Sequence, residues 1–195
     1  MIKFVYFDLG GVVIKDFSGT NKWEEIKNDL GVINLGFDDW FDNLELCLGK
    51  NSLDQKFENI VVSLNDFIDR FESNPSISPI IDSIHKKCRI GLLTNAYPNM
   101  LNQIINRKMI PEFNWDVSID SSVVGLQKPD PKIYELAEKL SGCNREEILF
   151  VENTKGHIEV AKSFGWRTFL YDSKNYEKSS LELLEYFNEA QKSQI

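Results

Sequence analysis

The 195-residue chain has only two histidines, His85 and His157, and three cysteines, Cys47, Cys88 and Cys143. The histidines fall in different predicted segments, which sets aside a histidine-rich metal centre and argues against a serine–histidine–aspartate arrangement. The cysteines are widely spaced, odd in number and form no Cys-x-x-Cys pair, so they read as reduced and structural. Positive charge is scarce as well: 22 Lys and Arg stand against 30 Asp and Glu, a formal net charge of −8. Nothing supplies the basic face that a nucleic-acid backbone or an anionic membrane requires, so neither is expected as a partner. No apolar run approaches the roughly 18 residues of a membrane span. The N-terminus lacks the basic, long apolar and small-residue parts of a signal peptide, so the expected location is the cytoplasm.

What is there is an ordinary globular composition, 42% hydrophobic and 27% charged. Five short apolar runs read as strands: residues 3–8, 89–94, 115–119, 148–151 and 167–171. They are continuous rather than alternating, the pattern of a parallel sheet covered on both faces. Helical periodicity fills residues 99–106, 130–140, 154–164 and 180–192. The second of these opens with Asp130 as N-cap and Pro131 at the first helical position, where a missing N–H costs nothing. Strand and helix alternate, so the expected class is α/β, a Rossmann-like parallel sheet.

One segment breaks that rhythm. Residues 16–78 offer no good strand but much helical spacing, above all Phe57, Ile60, Val61, Leu64, Phe67, Ile68 and Phe71 behind Ser52 as N-cap. Trp23, Ile26 and Leu30 suggest a shorter helix, and Trp40, Phe41, Leu44 and Leu48 another. The expected organisation is therefore a core of residues 1–15 and 79–195 with a small helical cap inserted at 16–78. Ligands of open α/β sheets bind beyond the carboxyl ends of the strands. An insertion leaving there would stand over the site.

The first strand ends at Asp8, followed by Gly10 and Gly11. Thr94 and Asn95 end the second strand, Glu152 and Asn153 end the fourth, and Lys128 sits in the loop "GLQKPDP". A carboxylate, a hydroxyl, an ammonium and an acid–amide pair converging at one sheet end suit phosphoryl transfer: a nucleophile, holders for the phosphoryl oxygens and oxygen ligands for a hard cation. The "ENT" stretch also reads as the N-cap of the helix that follows.

The segments "FDLGGVV", "LLTNA", "GLQKPDPKIY" and "FVENTKGHIEVAKSFGW", in this order, resemble the four motifs of the haloacid dehalogenase superfamily. Residues 16–78 resemble the small helical caps of its sugar-phosphatase-like and epoxide-hydrolase phosphatase-like branches. The resemblance implies that Asp8 forms an aspartyl-phosphate, and that Thr94 and Lys128 bind the transferred group with the backbone around Asn95, Gly10 and Gly11. It also implies Mg²⁺ held by Asp8, the carbonyl of Gly10, and Asn153 or Glu152. The substrate implied is a small phosphorylated metabolite such as a sugar phosphate. Family phosphatases usually carry a second aspartate where Gly10 stands, a general acid typically worth about 10²–10⁴-fold in rate. Asn153 replaces a charged ligand, and His157 suits a supporting role. Two alternatives follow from these departures: a weakly active or inactive homologue that binds a phosphorylated ligand or a protein, and a metal-independent dehalogenase using the same aspartate.

Overall fold

A computed structural model of the chain describes residues 1–16, 25, 28 and 68–192. Apart from Glu25 and Asn28, both helical, the segment expected to be helical from Trp23 to Phe67 lies outside the described residues. Elements are numbered among those described. The first strand, β1 (Phe4–Phe7), leads to a two-residue strand β2 (Ile14–Lys15), and β2 pairs antiparallel with β3 (Glu72–Ser73). Then follow α1 (Ser78–His85), β4 (Arg89–Thr94), α2 (Met100–Asn106), β5 (Val117–Asp120) and α3 (Ser121–Val124). The chain continues through α4 (Pro131–Ser141), β6 (Ile148–Glu152), α5 (Lys155–Ser163), β7 (Arg167–Leu170) and α6 (Tyr176–Lys192).

Five strands form one parallel sheet in the order β5-β4-β1-β6-β7. The order reverses at β1, so the central strand carries Asp8 to the switch point where such sheets leave a crevice. All four residues of β1 are buried, because alternate side chains enter different cores. Val5 and Phe7 join a cluster with Ile80, Ile81 and Ile84 of α1, Ile104 of α2 and Leu183 and Phe187 of α6. Phe4 and Tyr6 join Ile133, Tyr134 and Ala137 of α4, Ala161 of α5 and Trp166. Each face thus buries its own helical layer, which is why the strand sequences read as unbroken apolar runs. No described helix is long and apolar enough to cross a membrane.

The short strand β3, paired with β2, corrects the expectation of no strand between residues 16 and 78. Two residues per strand leave almost no periodic signal, and Lys15 with exposed Glu72 lacks β propensity. Their stem is fastened to the core by side chains. Asn74 Nδ2 donates to the carbonyl of Val12 at 2.7 Å and to the Tyr171 hydroxyl at 3.1 Å, and Tyr171 in turn donates to the Tyr176 carbonyl at 2.9 Å. The departing and returning chain are both anchored beside the C-terminal ends of the strands.

Candidate active site

Asp8 lies one residue beyond β1, and its N–H donates to the carbonyl of Val151 in the neighbouring β6 at 2.9 Å. Lys128 reaches it from the loop between α3 and α4. That loop is clamped by Asn95 at the end of β4: the Lys128 N–H donates to Asn95 Oδ1 at 2.8 Å, and Asn95 Nδ2 donates to the Lys128 carbonyl at 2.9 Å. The lysine side chain, 1% exposed, then places Nζ 2.7 Å from Asp8 Oδ1 and 2.6 Å from Glu152 Oε2. One ammonium serves two carboxylates.

The two carboxylates differ in their other company. Glu152 accepts from four groups: Lys128 Nζ and His157 Nδ1 (3.0 Å) on Oε2, the N–H of Asn153 (2.9 Å) and that of Thr154 (3.0 Å) on Oε1. The last two belong to the turn that leads into α5, whose N-cap residue Thr154 makes no side-chain capping bond. Glu152 therefore fixes the turn into α5 without capping the helix, and the N-cap that "ENT" suggested makes no side-chain bond. Burial opposes its charge, but Lys128 and His157 outweigh it and hold the carboxyl down at about 2. Asp8 is pushed up to about 7, first by burial and then by the Glu152 charge, with Lys128 pulling the other way. Burial works against the Lys128 ammonium, yet the two carboxylates raise it above its ordinary range.

Asp8, Gly10, Thr94, Asn95, Lys128 and Asn153 line one cavity, which Asp16 and His157 also border. The Thr94 hydroxyl donates to the Asn95 carbonyl at 3.2 Å. The two glycines are not equivalent. A Cβ on Gly10 would meet nothing within 4 Å, whereas one on Gly11, at φ +79°, would come within 2.1 Å of Asn153 Nδ2 and 2.6 Å of Asp16 Oδ2. Gly11 makes room for a side-chain pair; Gly10 leaves open space.

The donors suit magnesium in part. Asp8 offers a carboxylate, Gly10 a backbone carbonyl and Asn153 an amide oxygen, all bordering the cavity, and Mg²⁺ is ordinarily held by one or two carboxylates with water and substrate phosphate. Glu152 does not fit, because all its company is hydrogen-bond donors and it is fully buried. Among the described residues no group of three or more His, Cys, Asp and Glu side chains is placed to hold a metal, so a cation here depends on neutral oxygens.

Asp8, Gly10, Thr94, Asn95, Lys128 and Asn153 meet at this cavity, whereas Glu152 lies behind Lys128 and Gly11 sits beside Asn153 outside the lining. The structure adds two that the sequence did not flag: Asp16, and Ser173, whose Oγ accepts from Asn153 Nδ2 at 2.9 Å. Neither lies in a motif, and Asp16 falls where the expected insertion begins.

A profile of haloacid dehalogenase-like hydrolases matches residues 2–165. The haloacetate dehalogenase H-2 of Moraxella sp. (strain B) is 28% identical over 100 residues, 50% of this chain and 44% of that protein. The pyrimidine 5'-nucleotidase YjjG of Escherichia coli (strain K12) is 24% identical over 147 residues, 72% of this chain and 61% of its own. Both matches therefore span less than two thirds of the relative. Among solved structures, a wild-type HAD family enzyme of Bacteroides thetaiotaomicron in complex with magnesium and inorganic phosphate superposes with a TM-score of 0.71 at 16% identity, covering 89% of this chain and 96% of that one. At that identity the likeness concerns the fold.

Proposed function

Because this chain belongs to the haloacid dehalogenase-like hydrolase family, we propose that it is a Mg²⁺-assisted phosphomonoesterase of a small phosphorylated metabolite, a sugar phosphate being the representative class. The observation that supports this most is the state of Asp8: buried, with one oxygen paired to Lys128, and bordering the cavity shared with Thr94 and Asn153. In this reading the carboxylate of Asp8 attacks phosphorus, the P–O bond to the substrate alcohol breaks, and an aspartyl-phosphate forms. Water then attacks the phosphorus of that acyl phosphate, releasing inorganic phosphate and restoring Asp8. Thr94, Lys128 and the main chain at Asn95, Gly10 and Gly11 hold the phosphoryl oxygens. Mg²⁺, held by Asp8, the Gly10 carbonyl and Asn153, supplies charge for the nucleophile and the transferred group. Lys128 opposes the burial and the Glu152 charge that favour the protonated form of Asp8, and Glu152 keeps Lys128 in place. The B. thetaiotaomicron neighbour bound to magnesium and phosphate is consistent with this reading.

A second reading is favoured by the neutral Asn153 and by the likeness to a haloacetate dehalogenase: Asp8 attacks carbon and displaces halide, with no cation. One set of assays separates them. Hydrolysis of an aryl phosphate, a leaving group that needs little protonation, is expected with Mg²⁺ and not with Asp8→Asn. A panel of sugar phosphates then defines the substrate. Halide release from haloacetate without metal, and no phosphatase activity, would replace the first reading by the second. Mg²⁺-dependent phosphate binding without turnover would make the chain a non-catalytic binder.

A further inference from the structure

Asn153 is a neutral residue in a place where a cation calls for charge, and its neighbours explain how that works. Its amide Nδ2 donates to Asp16 Oδ2 at 3.1 Å and to Ser173 Oγ at 2.9 Å. Both amide hydrogens are used. A carboxylate accepts only, so the opposite orientation of the amide would set oxygen against oxygen at the Asp16 contact. Trigonal geometry then turns Oδ1 away from Asp16 and Ser173.

Asp16 is itself held firmly. Its N–H donates to the Tyr176 hydroxyl at 3.0 Å, and that hydroxyl donates to Asp16 Oδ1 at 3.2 Å, so a single tyrosine at the start of α6 grips both main chain and side chain. The Asp16–Asn153 contact also explains Gly11. Any side chain there would enter the space of Asn153 Nδ2 and Asp16 Oδ2, at 2.1 and 2.6 Å from its Cβ. Three sequence-distant features, a glycine with φ +79°, a carboxylate at the mouth of the insertion and a serine after β7, converge on one amide group.

We infer that Asp16 is a positioning residue for the divalent cation: it fixes the Asn153 amide so that oxygen is the atom offered as ligand, and it carries beside Asn153 the negative charge that the amide lacks. This rests on the magnesium reading above and adds a residue to it. It also carries a consequence for position 153. An aspartate there would face Asp16 carboxylate to carboxylate at about the same separation, and like charges so close disfavour the doubly ionised state. Residues 16 and 153 form a matched acid–amide pair, and the charge is tolerated on one of them at a time.

The test is a double-mutant cycle read by calorimetric titration of Mg²⁺ into the full chain, with thermal unfolding as a check of folding. Asp16→Asn is expected to weaken Mg²⁺ binding about tenfold, the scale of losing an outer-shell partner. Asn153→Asp alone is expected to bind no more tightly than wild type. The exchange variant Asn153→Asp/Asp16→Asn, which restores an acid–amide pair with the members swapped and the charge now on the ligand, is expected to bind more tightly than either single variant. A purely structural role for Asp16 would not produce that reversal. Unchanged Mg²⁺ affinity in Asp16→Asn, while wild type keeps Asp8-dependent phosphatase activity, overturns the inference and leaves the proposed function standing. No Mg²⁺ binding by wild type overturns both. Where Asp16→Asn does not fold, the exchange variant decides against Asn153→Asp: tighter binding supports the pair, and equal or weaker binding overturns it.

Discussion

The ends of β1 and β6 lie side by side and use the same residue type for opposite purposes. At the end of β6, Glu152 is saturated with donors, fully buried and strongly acidic. At the end of β1, Asp8 shares the same lysine, borders the cavity and is pushed up to about 7. What separates them is the company they do not share: two backbone N–H groups and His157 add to Lys128 in stabilising charge on Glu152, while Asp8 is raised first by burial and then by the Glu152 charge. A carboxylate whose lone pairs are all occupied is scaffold. The one left short of donors retains the capacity to react.

The comparison breaks most severely at Glu152. Glu152→Gln leaves Lys128 with Asp8 alone and turns an amide N–H₂ toward Lys128 and His157, so a loss of about 3–5 kcal/mol of stability is expected, as when one member of a buried ion pair is removed. Denaturant unfolding measures it; a change below about 1 kcal/mol would mean that the donors around Glu152 find other partners. Gly11→Ala comes next. A left-handed backbone and overpacking against Asn153 together predict about 2–4 kcal/mol, and crystals of the variant should show the Asn153 amide displaced.

Asp8→Asn should act in the other direction on the metal-free protein. The folded state holds a proton on Asp8 that the unfolded chain releases near its ordinary value of 3.8, so stability falls as pH rises from about 4 to about 7 and is flat above. The variant lacks that loss. Its gain over wild type in EDTA should grow across this window by up to about 1.4 kcal/mol per pH unit, the pairing with Lys128 being already part of the net upward shift. Thermal melts at pH 5 and pH 7.5 test it, and an equal difference at both would contradict an Asp8 carboxyl raised by burial and by the Glu152 charge. Added Mg²⁺ should erase the advantage by binding only wild type.

How much of this was readable in the chain depends on the range of the signal. The strand runs at residues 89–94 and 167–171 matched β4 and β7 to within a residue, because continuous burial writes itself into consecutive side chains. The run at 115–119 sits two residues early, since Trp115 packs on Phe113 before β5 begins. Asp8, Thr94 and Asn153 were visible as polar residues at strand ends, and Lys128 as a lysine in a proline-framed loop. The division of labour between Asp8 and Glu152 was not, because it depends on which donors a fold delivers to each oxygen. Asp16 was invisible for the same reason: its role is defined by Asn153, 137 residues away, and by a glycine whose missing side chain says nothing about what fills the gap. The α1 helix was overlooked for a local cause, a Ser-Pro start at Ser78 that reads equally as the end of a loop.

The gentlest way to sharpen the comparison is to give β1's end what it lacks. A Cβ at Gly10 enters open space, and Gly10 is not among the glycines with positive φ, so Gly10→Asp adds a carboxyl without the crowding that Gly11 would suffer. If the reaction is phosphoryl transfer slowed by missing proton donation, a sugar phosphate should be hydrolysed roughly ten- to a hundredfold faster by the variant, the low end of general acid catalysis for a group that nothing has yet positioned. An aryl phosphate, whose leaving group departs unprotonated, should gain little. Gly10→Ala separates chemistry from backbone effects and should leave both rates near wild type. Equal acceleration of both substrates would point to the added charge acting on the cation, since a proton donor discriminates by leaving group and a metal ligand does not.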